Sequence, residues 1–144
     1  MTTAVVEIPT ALLPVFWDKI EVLLAPAIRR SNGEVTTESA KRRALAGETT
    51  IFVIISEAQI ICAYTLEILT YESGLRALAM PLVGGAGMLK IPTEMMASLE
   101  GVAKRCGCSE IRGMSARAGW TRTLEPLGWT LGHTVVNYKL KEES

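Results

Sequence analysis

The middle of the sequence contains two apolar runs that are rich in β-branched residues, Thr49–Ile55 and Gln59–Thr70. Only three residues separate them, which suits a tight turn and leaves no room for a crossover connection. The two runs therefore predict an antiparallel hairpin. A third run of the same kind, Leu75–Val83, follows closely, so we expect a three-stranded meander at the centre of the fold.

Helical patterns flank this meander on both sides. Thr10–Arg30 has apolar residues at spacings of three and four, which predicts one amphipathic helix. Thr36 or Thr37 can cap a second, short helix that ends before Gly47. After the meander, the apolar positions from Met95 to Cys106 predict a third helix, which the next glycine ends.

The remaining segments predict short strands and one short helix. Ser109–Met114 and Trp129–Leu140 have the pattern of strands, and Trp120–Leu127 that of a helix; no strand is predicted before Thr10. A strand–helix–strand connection is almost always right-handed, and it makes Ser109–Met114 parallel to the third run. We therefore predict one α/β domain over residues 1–144, with a mixed, mainly antiparallel sheet and helices on both faces.

Composition restricts the possible functions. The 15 Lys and Arg residues balance 15 Asp and Glu residues, so we expect no direct binding to nucleic acid. Zero net charge also removes repulsion between copies, which favours self-association or a protein partner. No uncharged apolar stretch reaches the ~18 residues of a spanning helix, and the N-terminus lacks the basic segment of a secretory signal. We expect no membrane contact and, with three cysteines, a reducing cytoplasm.

A glycine-rich run, Gly84–Gly87, lies between the third predicted strand and the third predicted helix. Backbone N–H groups without neighbouring Cβ atoms can bind a pyrophosphate near a helix N-terminus. The run is not a Walker A loop, because Lys90 is followed by Ile91 rather than by Ser or Thr. A flexible connection explains the same glycines, so both interpretations stay open.

Each of the other candidate residues also has an ordinary explanation. Glu67 interrupts the second apolar run, and it either faces water or acts as a base in a pocket. His133 is the only histidine, and no nucleophile is placed beside it. Cys106 and Cys108 lack the further ligand pair that a metal site requires, so no metal is expected. Two groups of basic residues either meet phosphates or an acidic partner, or are solvated: Arg29, Arg30, Lys41, Arg42 and Arg43, and Arg112, Arg117 and Arg122.

Two short motifs, together with the element order, resemble a known family. The segment Arg117–Trp129 ends in Leu-Gly-Trp, which is similar to the Leu-Gly-Phe ending of the GNAT (Gcn5-related N-acetyltransferase) fold. Ala103–Cys108 resembles the Ala-x-x-x-Gly-Cys segment of the same family. More narrowly, the pattern Arg-x-Gly-Trp-x-Arg-x-Leu-x-x-x-Gly-Trp resembles small GNAT-like proteins encoded by tailed bacteriophages.

The resemblance implies a site for acetyl-CoA between two strands that splay apart to hold the pantetheine arm. It also implies acyl transfer from the thioester to an amine, with a base and an acid to move protons. The chain departs from the family pattern at Leu82, where Arg or Gln is usual, and at Leu124, where a tyrosine acid is frequent. The implied pyrophosphate-binding residues are Val83, Gly84, Gly85, Ala86 and Gly87.

The residues leave two functions open. Because Leu75–Met80 contains no carboxylate, Glu67 or a water molecule would serve as the base of an acyl-CoA-binding N-acetyltransferase with degenerate catalytic motifs. The alternative is a non-catalytic structural virion component or adaptor of a tailed bacteriophage, which uses the GNAT-like fold for protein–protein assembly. The first would act in the cytoplasm of a bacterial host, and the second would be associated with the virion.

Overall fold

A computed structural model describes residues 3–85, 93–114, 124–132 and 135–142. No helix in these ranges is long and apolar enough to cross a membrane. The strands are β1 (Thr3–Ile8), β2 (Thr50–Ser56), β3 (Gln59–Thr70), β4 (Arg76–Met80), β5 (Val83–Gly85) and β6 (Glu110–Gly113). The helices are α1 (Leu13–Arg29), α2 (Thr37–Leu45) and α3 (Thr93–Arg105), with short 3₁₀ turns at Thr10–Leu12 and Glu125–Leu127.

The strands form one mixed sheet in the order β1-β2-β3-β4-β6, and β5 also pairs with β3. Every pair is antiparallel except β4 with β6, which are parallel. The predicted fold class and hairpin are therefore confirmed, as is the parallel pairing of the two strands on either side of α3. The hairpin turn places Glu57 and Ala58 at φ +51° and +64°, a left-handed pair that matches the twist of the flanking strands.

Helices cover the two faces of the sheet and enclose two apolar cores. Along β2, successive side chains alternate between these cores, as the period of a strand requires. The core under α1 and α2 includes Leu13, Trp17, Ile20, Leu24, Ile51, Val53 and Ala63. The core under α3 includes Phe52, Ile54, Tyr64, Leu78, Met95 and Leu99.

The first strand is a correction to the sequence analysis, which placed no strand before Thr10. Thr3–Ile8 pairs with the edge of β2, with Thr3 opposite Ser56 and Ile8 opposite Ile51. Of its six residues only Ile8 is buried, so the segment carries little of the alternation that identifies a strand. Pairing with the edge of β2, with Val5 and Ile8 packing on the two cores, makes this segment β-structure.

The C-terminal prediction is also corrected. The described parts of the predicted strand Trp129–Leu140, residues 129–132 and 135–140, contain no strand. Only the end of the predicted helix Trp120–Leu127 is described, and that end is helical, with Leu124 in a helical conformation followed by the 3₁₀ turn Glu125–Leu127. Trp129 is half-buried over the end of β6, where a Cβ at Gly113 would lie 3.7 Å from its Cζ3 atom.

Candidate functional site

A β-bulge separates β4 from β5. β3 pairs with β4 up to Glu67 opposite Ala79, and with β5 from Tyr64 opposite Val83. Between these pairs, two residues of β3 face three residues of the segment that runs from β4 into β5. This excess of one residue defines a bulge. The third apolar run of the sequence, predicted as one strand over Leu75–Val83, is thus two short strands.

Thr65 holds the bulge in place. Its backbone N–H donates to the Leu82 carbonyl at 3.0 Å, and its Oγ1 accepts from the Leu82 N–H at 3.3 Å. Both residues are buried, at 4% and 5% exposure, so neither backbone group of Leu82 has access to water. The preceding residue, Pro81, has no N–H to satisfy. The side chain of one threonine therefore replaces the ladder bond that the extra residue removes.

An opening begins at the bulge. The parallel pairing of β4 with β6 ends at Met80 opposite Gly113, and β5 pairs with β3 alone among the described strands. Since the backbone groups of Leu82 face β3, strand alternation turns those of Val83 to the other side. The outer edge of β5 thus carries backbone donors and acceptors without a strand partner in the described part of the chain. An unpaired edge of this kind can bind an extended chain that contains amides.

The first two glycines of the run have a structural requirement of their own. Gly84 is buried, and a Cβ there would lie 1.9 Å from the backbone oxygen of Leu23 in α1. Gly85 is exposed with φ +131°, and its Cβ would lie 2.3 Å from the backbone oxygen of Ile61. Close packing of β5 on α1 therefore requires glycine at position 84, independently of any ligand that the run binds. The other two positions predicted to bind the cofactor, Ala86 and Gly87, lie outside the described residues.

The Glu67 carboxylate is partly exposed and forms an ion pair. Its Oε2 atom lies 2.6 Å from Nη2 of Arg43 in α2, and its side chain is 16% exposed. The same guanidinium binds Glu48 at 3.2 Å. The hydrogen bond to Glu67 is the main reason that the pKa of Arg43 is raised. Glu67 follows Thr65 by two residues on the same face of β3, about 7 Å along the strand.

A cavity of about 400 Å³ opens at the C-terminal end of α3. Its lining includes Phe52, Leu66 and Glu67 from the sheet, and Val102 and Arg105 from the helix. The glycine run leads instead to the N-terminal end of the same helix. The structure therefore places Glu67 in the lining of this cavity, which does not include Val83, Gly84 or Gly85. Those three residues lie beside the opening at the bulge.

Both departures from the family pattern have a packing explanation. Leu82 is buried in the core under α1, where a charged side chain would have to be desolvated. Leu124 packs against the core under α3. Apolar contacts thus occupy both positions at which the family has a polar side chain.

The other candidates from the sequence are dispersed. Arg112 lies over the Tyr71 ring, with its guanidinium carbon 4.5 Å from the centroid, and also pairs with Glu110. Residues 3–85, 93–114, 124–132 and 135–142 contain no group of three or more His, Cys, Asp or Glu side chains that could hold a metal ion. His133, Arg117 and Arg122 lie outside these ranges.

Sequence reasoning missed two residues that shape the site, Thr65 and Arg43 as the partner of Glu67. Thr65 had one detectable signal, a hydroxyl in a mainly apolar run that precedes a predicted strand containing Pro81. The partner of Glu67 had none, because the two residues are 24 positions apart and belong to different elements.

No family model matches the sequence, and no curated protein matches it either. Solved structures do match over almost the whole chain. An aminoglycoside acetyltransferase from an uncultured soil metagenomic sample, in complex with sisomicin, has a TM-score of 0.69 at 13% identity, covering 98% of this chain and 97% of that one. Glucosamine-6-phosphate N-acetyltransferase from Arabidopsis thaliana has a TM-score of 0.63 at 16% identity, with 98% and 100% covered.

A GNAT family acetyltransferase from Staphylococcus aureus is similar at a TM-score of 0.62 and 12% identity, covering 97% of this chain and 100% of that one. Identities in this range establish the architecture alone. The chain therefore has the GNAT fold that these acetyltransferases share.

Proposed function

We propose that this protein binds an acyl-CoA at the opening between β5 and β6, with the pantetheine arm against the outer edge of β5. The observation that carries the proposal is the bulge after Met80. Before the bulge, β4 pairs with both β3 and β6; after it, β5 pairs with β3 alone among the described strands. Pantetheine is an extended chain with amide groups, so it can pair with a strand edge as a peptide does.

Val83 supplies the first usable N–H group of this edge. Pro81 has none, and the N–H of Leu82 is already bonded to Thr65. Beyond Val83, the pyrophosphate is proposed to bind to the backbone of the glycine-rich run, whose residues the family resemblance implies as its binding site: Gly84, Gly85, Ala86 and Gly87. The exposed backbone of Gly85, next to that edge, supports this direction for the ligand.

A bound acyl-CoA supplies an activated acyl group for transfer to an amine. The chain itself would have to orient the amine and remove its proton. Glu67 is the candidate base, since it lies on β3 two residues from the bulge-holding Thr65. It would act only after giving up its 2.6 Å hydrogen bond to Arg43. We therefore propose acyl-CoA binding as the primary function, and transfer to an amine as an activity that depends on Glu67.

A different observation favours protein–protein assembly as a second function. The described C-terminal residues leave large apolar side chains in water, Leu131, Val135, Val136, Tyr138 and Leu140. The narrower proposal of a bacteriophage adaptor or virion component still depends on the sequence pattern in Arg117–Trp129, of which only Leu124–Trp129 is described.

Calorimetric titration with acetyl-CoA tests the binding proposal, and a backbone variant locates the site. Val83→Pro removes the proposed N–H donor, whereas Val83→Ala shortens the side chain and keeps that donor. Loss of one hydrogen bond predicts about a tenfold weaker affinity for Val83→Pro. Val83→Ala should stay within about threefold of the wild type, a difference of under 0.7 kcal/mol. The melting temperature of each unliganded variant shows whether its fold survives.

Absence of both binding heat and a shift in melting temperature at millimolar acetyl-CoA would overturn the binding proposal. Equal affinities of the wild type and of a folded Val83→Pro variant would overturn the proposed position. If the wild type acetylates any amine in a screen, Glu67→Gln should abolish transfer and leave the affinity for acetyl-CoA unchanged. Glu48→Gln, at the other carboxylate bound by Arg43, is the matched control.

A further inference from the structure

We propose that the cavity at the C-terminal end of α3 binds a small organic cation, an ammonium group that carries an apolar chain or ring. The inference goes beyond the proposed function, because this cavity lies at the other end of α3 from the glycine run and its ligand requires no acyl-CoA. With a volume of about 400 Å³, the cavity falls within the range of ~300–1,000 Å³ that is typical of small-molecule sites.

The inner wall of the cavity is apolar. Phe52, Leu66 and Leu78 come from three neighbouring strands and are 5%, 3% and 1% exposed, and Val102 lines the cavity from α3. At the mouth, Ile68 is 42% exposed. Ile68 lies opposite Leu78 in the pairing of β3 with β4, so the apolar surface continues from the buried wall to the solvent. A ligand with an apolar chain or ring would cover this surface.

The charged side chains of the lining are mainly acidic. They are the carboxylates of Glu7, Glu48 and Glu67 and one guanidinium, that of Arg105. Arg43 of α2 already binds Glu48 and Glu67. Glu7 is exposed, and it has no hydrogen bond or ion pair with any residue that the structure describes. The cavity therefore retains one carboxylate that is available to an incoming cation.

Glu7 and Phe52 together form the cation-binding part of the lining. They lie opposite each other in the pairing of β1 with β2, so their Cβ atoms are about 5 Å apart on the face of the sheet that α3 covers. Tyr64 stacks on one face of the Phe52 ring, with the ring centroids 5.6 Å apart. Because Tyr64 belongs to β3, the other ring face is turned toward β1. A carboxylate beside an aromatic face is a combination that binds ammonium groups.

Other classes of ligand fit this lining less well. An anion would be repelled by Glu7, and a neutral ligand would leave that carboxylate without a partner. Arg105 disfavours a cation, but its guanidinium extends one turn back along α3, where a Cβ added at Gly101 would lie 3.4 Å from its Nη1 atom. Arg105 also forms no ion pair with Glu7, so it does not neutralise the carboxylate that the cation would meet.

An NMR titration of the full-length protein, followed by amide chemical shifts and without acetyl-CoA, tests the proposal. The probes are n-hexylamine, hexan-1-ol and hexanoate, which have the same chain length and differ in the charge of the head group. We expect hexylamine to bind about tenfold more tightly than hexanol, and hexanoate to bind more weakly than either. The shifts should be concentrated at lining residues such as Gly47, Glu48 and Val102, and should spare Val83–Gly85.

Two substitutions in the lining should change the affinity for hexylamine in opposite directions. Glu7→Gln should weaken binding about fivefold, whereas Arg105→Gln removes a like charge and should strengthen it about twofold. The matched control is Glu57→Gln, on the hairpin turn at the other end of β2, which should alter the affinity by less than about 1.5-fold. All three side chains are exposed, so these variants should fold. Val102→Phe should fill the cavity and weaken hexylamine and hexanol alike.

Absence of shifts at about 20 mM hexylamine, where even a millimolar site is filled, would overturn the proposal. So would equal affinities for hexylamine and hexanol, or a folded Glu7→Gln protein that binds hexylamine as the wild type does. Displacement of hexylamine by acetyl-CoA would show that the two ligands share one site, and would overturn the separate location. Since the titrations contain no acetyl-CoA, a failure of acyl-CoA binding would leave their outcome unchanged.

Discussion

β2 and the C-terminal tail, of which the structure describes residues 129–132 and 135–142, both have strand-forming sequences but opposite environments. β2 lies between β1 and β3, where Ile51 and Val53 are 1% and 0% exposed. The tail has no strand partner in the described part of the chain, and Val136 and Leu140 are 92% and 86% exposed. An apolar sequence rich in β-branched residues therefore shows that a segment is able to form a strand. Whether it does so depends on a partner for its backbone hydrogen bonds.

The difference between the packed region and the tail can be measured with pairs of identical substitutions. The largest effect is expected at glycine. Gly84→Ala places a methyl group 1.9 Å from the Leu23 carbonyl oxygen, whereas an added Cβ at Gly132 meets nothing within 4 Å. Gly84→Ala should lower the free energy of unfolding by about 3 kcal/mol or more. Gly132→Ala should change it by less than about 0.5 kcal/mol. Urea denaturation measures both, and similar values would contradict the close packing of β5 on α1.

The threonine pair tests the hydrogen bond that holds the bulge. Thr65→Val keeps the volume of the side chain but leaves the buried N–H of Leu82 without an acceptor. The expected loss in the free energy of unfolding is about 2 kcal/mol. Thr65→Ser should retain most of that stability, and Thr130→Val, on an exposed residue of the tail, should have almost no effect. A Thr65→Val protein as stable as the wild type would show that another group bonds Leu82.

The glutamate pair has a smaller expected difference. Glu67→Gln weakens a partly buried ion pair with Arg43, so the free energy of unfolding should fall by about 1 kcal/mol. Glu142→Gln alters an exposed carboxylate and should change the free energy of unfolding by at most a few tenths of a kcal/mol. Thermal unfolding at low and high salt checks the cause. If the loss at Glu67 comes from charge, it should shrink as salt rises.

The smallest effect on the free energy of unfolding is expected at Tyr64, where the substitution should stabilise the protein rather than destabilise it. The Tyr64 hydroxyl is buried without a well-formed hydrogen bond to any described residue. Burial raises the pKa of Tyr64, although Ser98 lies near enough to oppose that rise. Tyr64→Phe should leave stability unchanged or increase it by up to about 1 kcal/mol, and Tyr138→Phe in the tail should be neutral.

The pH dependence of the same pair gives a second measurement. As pH rises, the Tyr64 phenol ionises in the unfolded chain before it ionises in the folded protein, because burial raises its pKa in the folded state. Burial of the neutral phenol therefore contributes to the stability of the wild type at neutral pH, and that contribution declines above about pH 10. Tyr64→Phe should therefore lose less stability than the wild type between about pH 10 and 11. A marked loss of stability on Tyr64→Phe at pH 7 would show instead that the hydroxyl has a partner.

Much of the fold could be predicted because its signals are local. The spacing of Leu13, Trp17, Ile20 and Leu24 identifies α1 from one stretch of chain. Thr36 caps α2 through reciprocal hydrogen bonds with Ser39, three residues away. The hairpin of β2 and β3 follows from the short turn between them. β1 was missed because its strand character comes from the neighbouring β2 edge rather than from its own pattern.

The candidate site was predicted less completely than the fold. The glycine motif indicated Val83, Gly84 and Gly85, and in the structure these three residues form β5, beside the opening at the bulge. The bulge itself depends on register between strands, which the sequence of one strand does not contain. The Arg43 partner of Glu67 comes from a helix 24 residues away, so only the packed sheet brings the two charges together.

The sequence by itself determined α1, α2, α3 and the hairpin of β2 and β3, because propensity, capping and periodicity act over a few residues. Tertiary structure decided which strand-forming segments obtained partners, where β4 and β5 part, and why Gly84 has to be glycine. Those outcomes depend on hydrogen bonds and contacts between distant parts of the chain, such as Thr65 with Leu82 and Leu23 with Gly84.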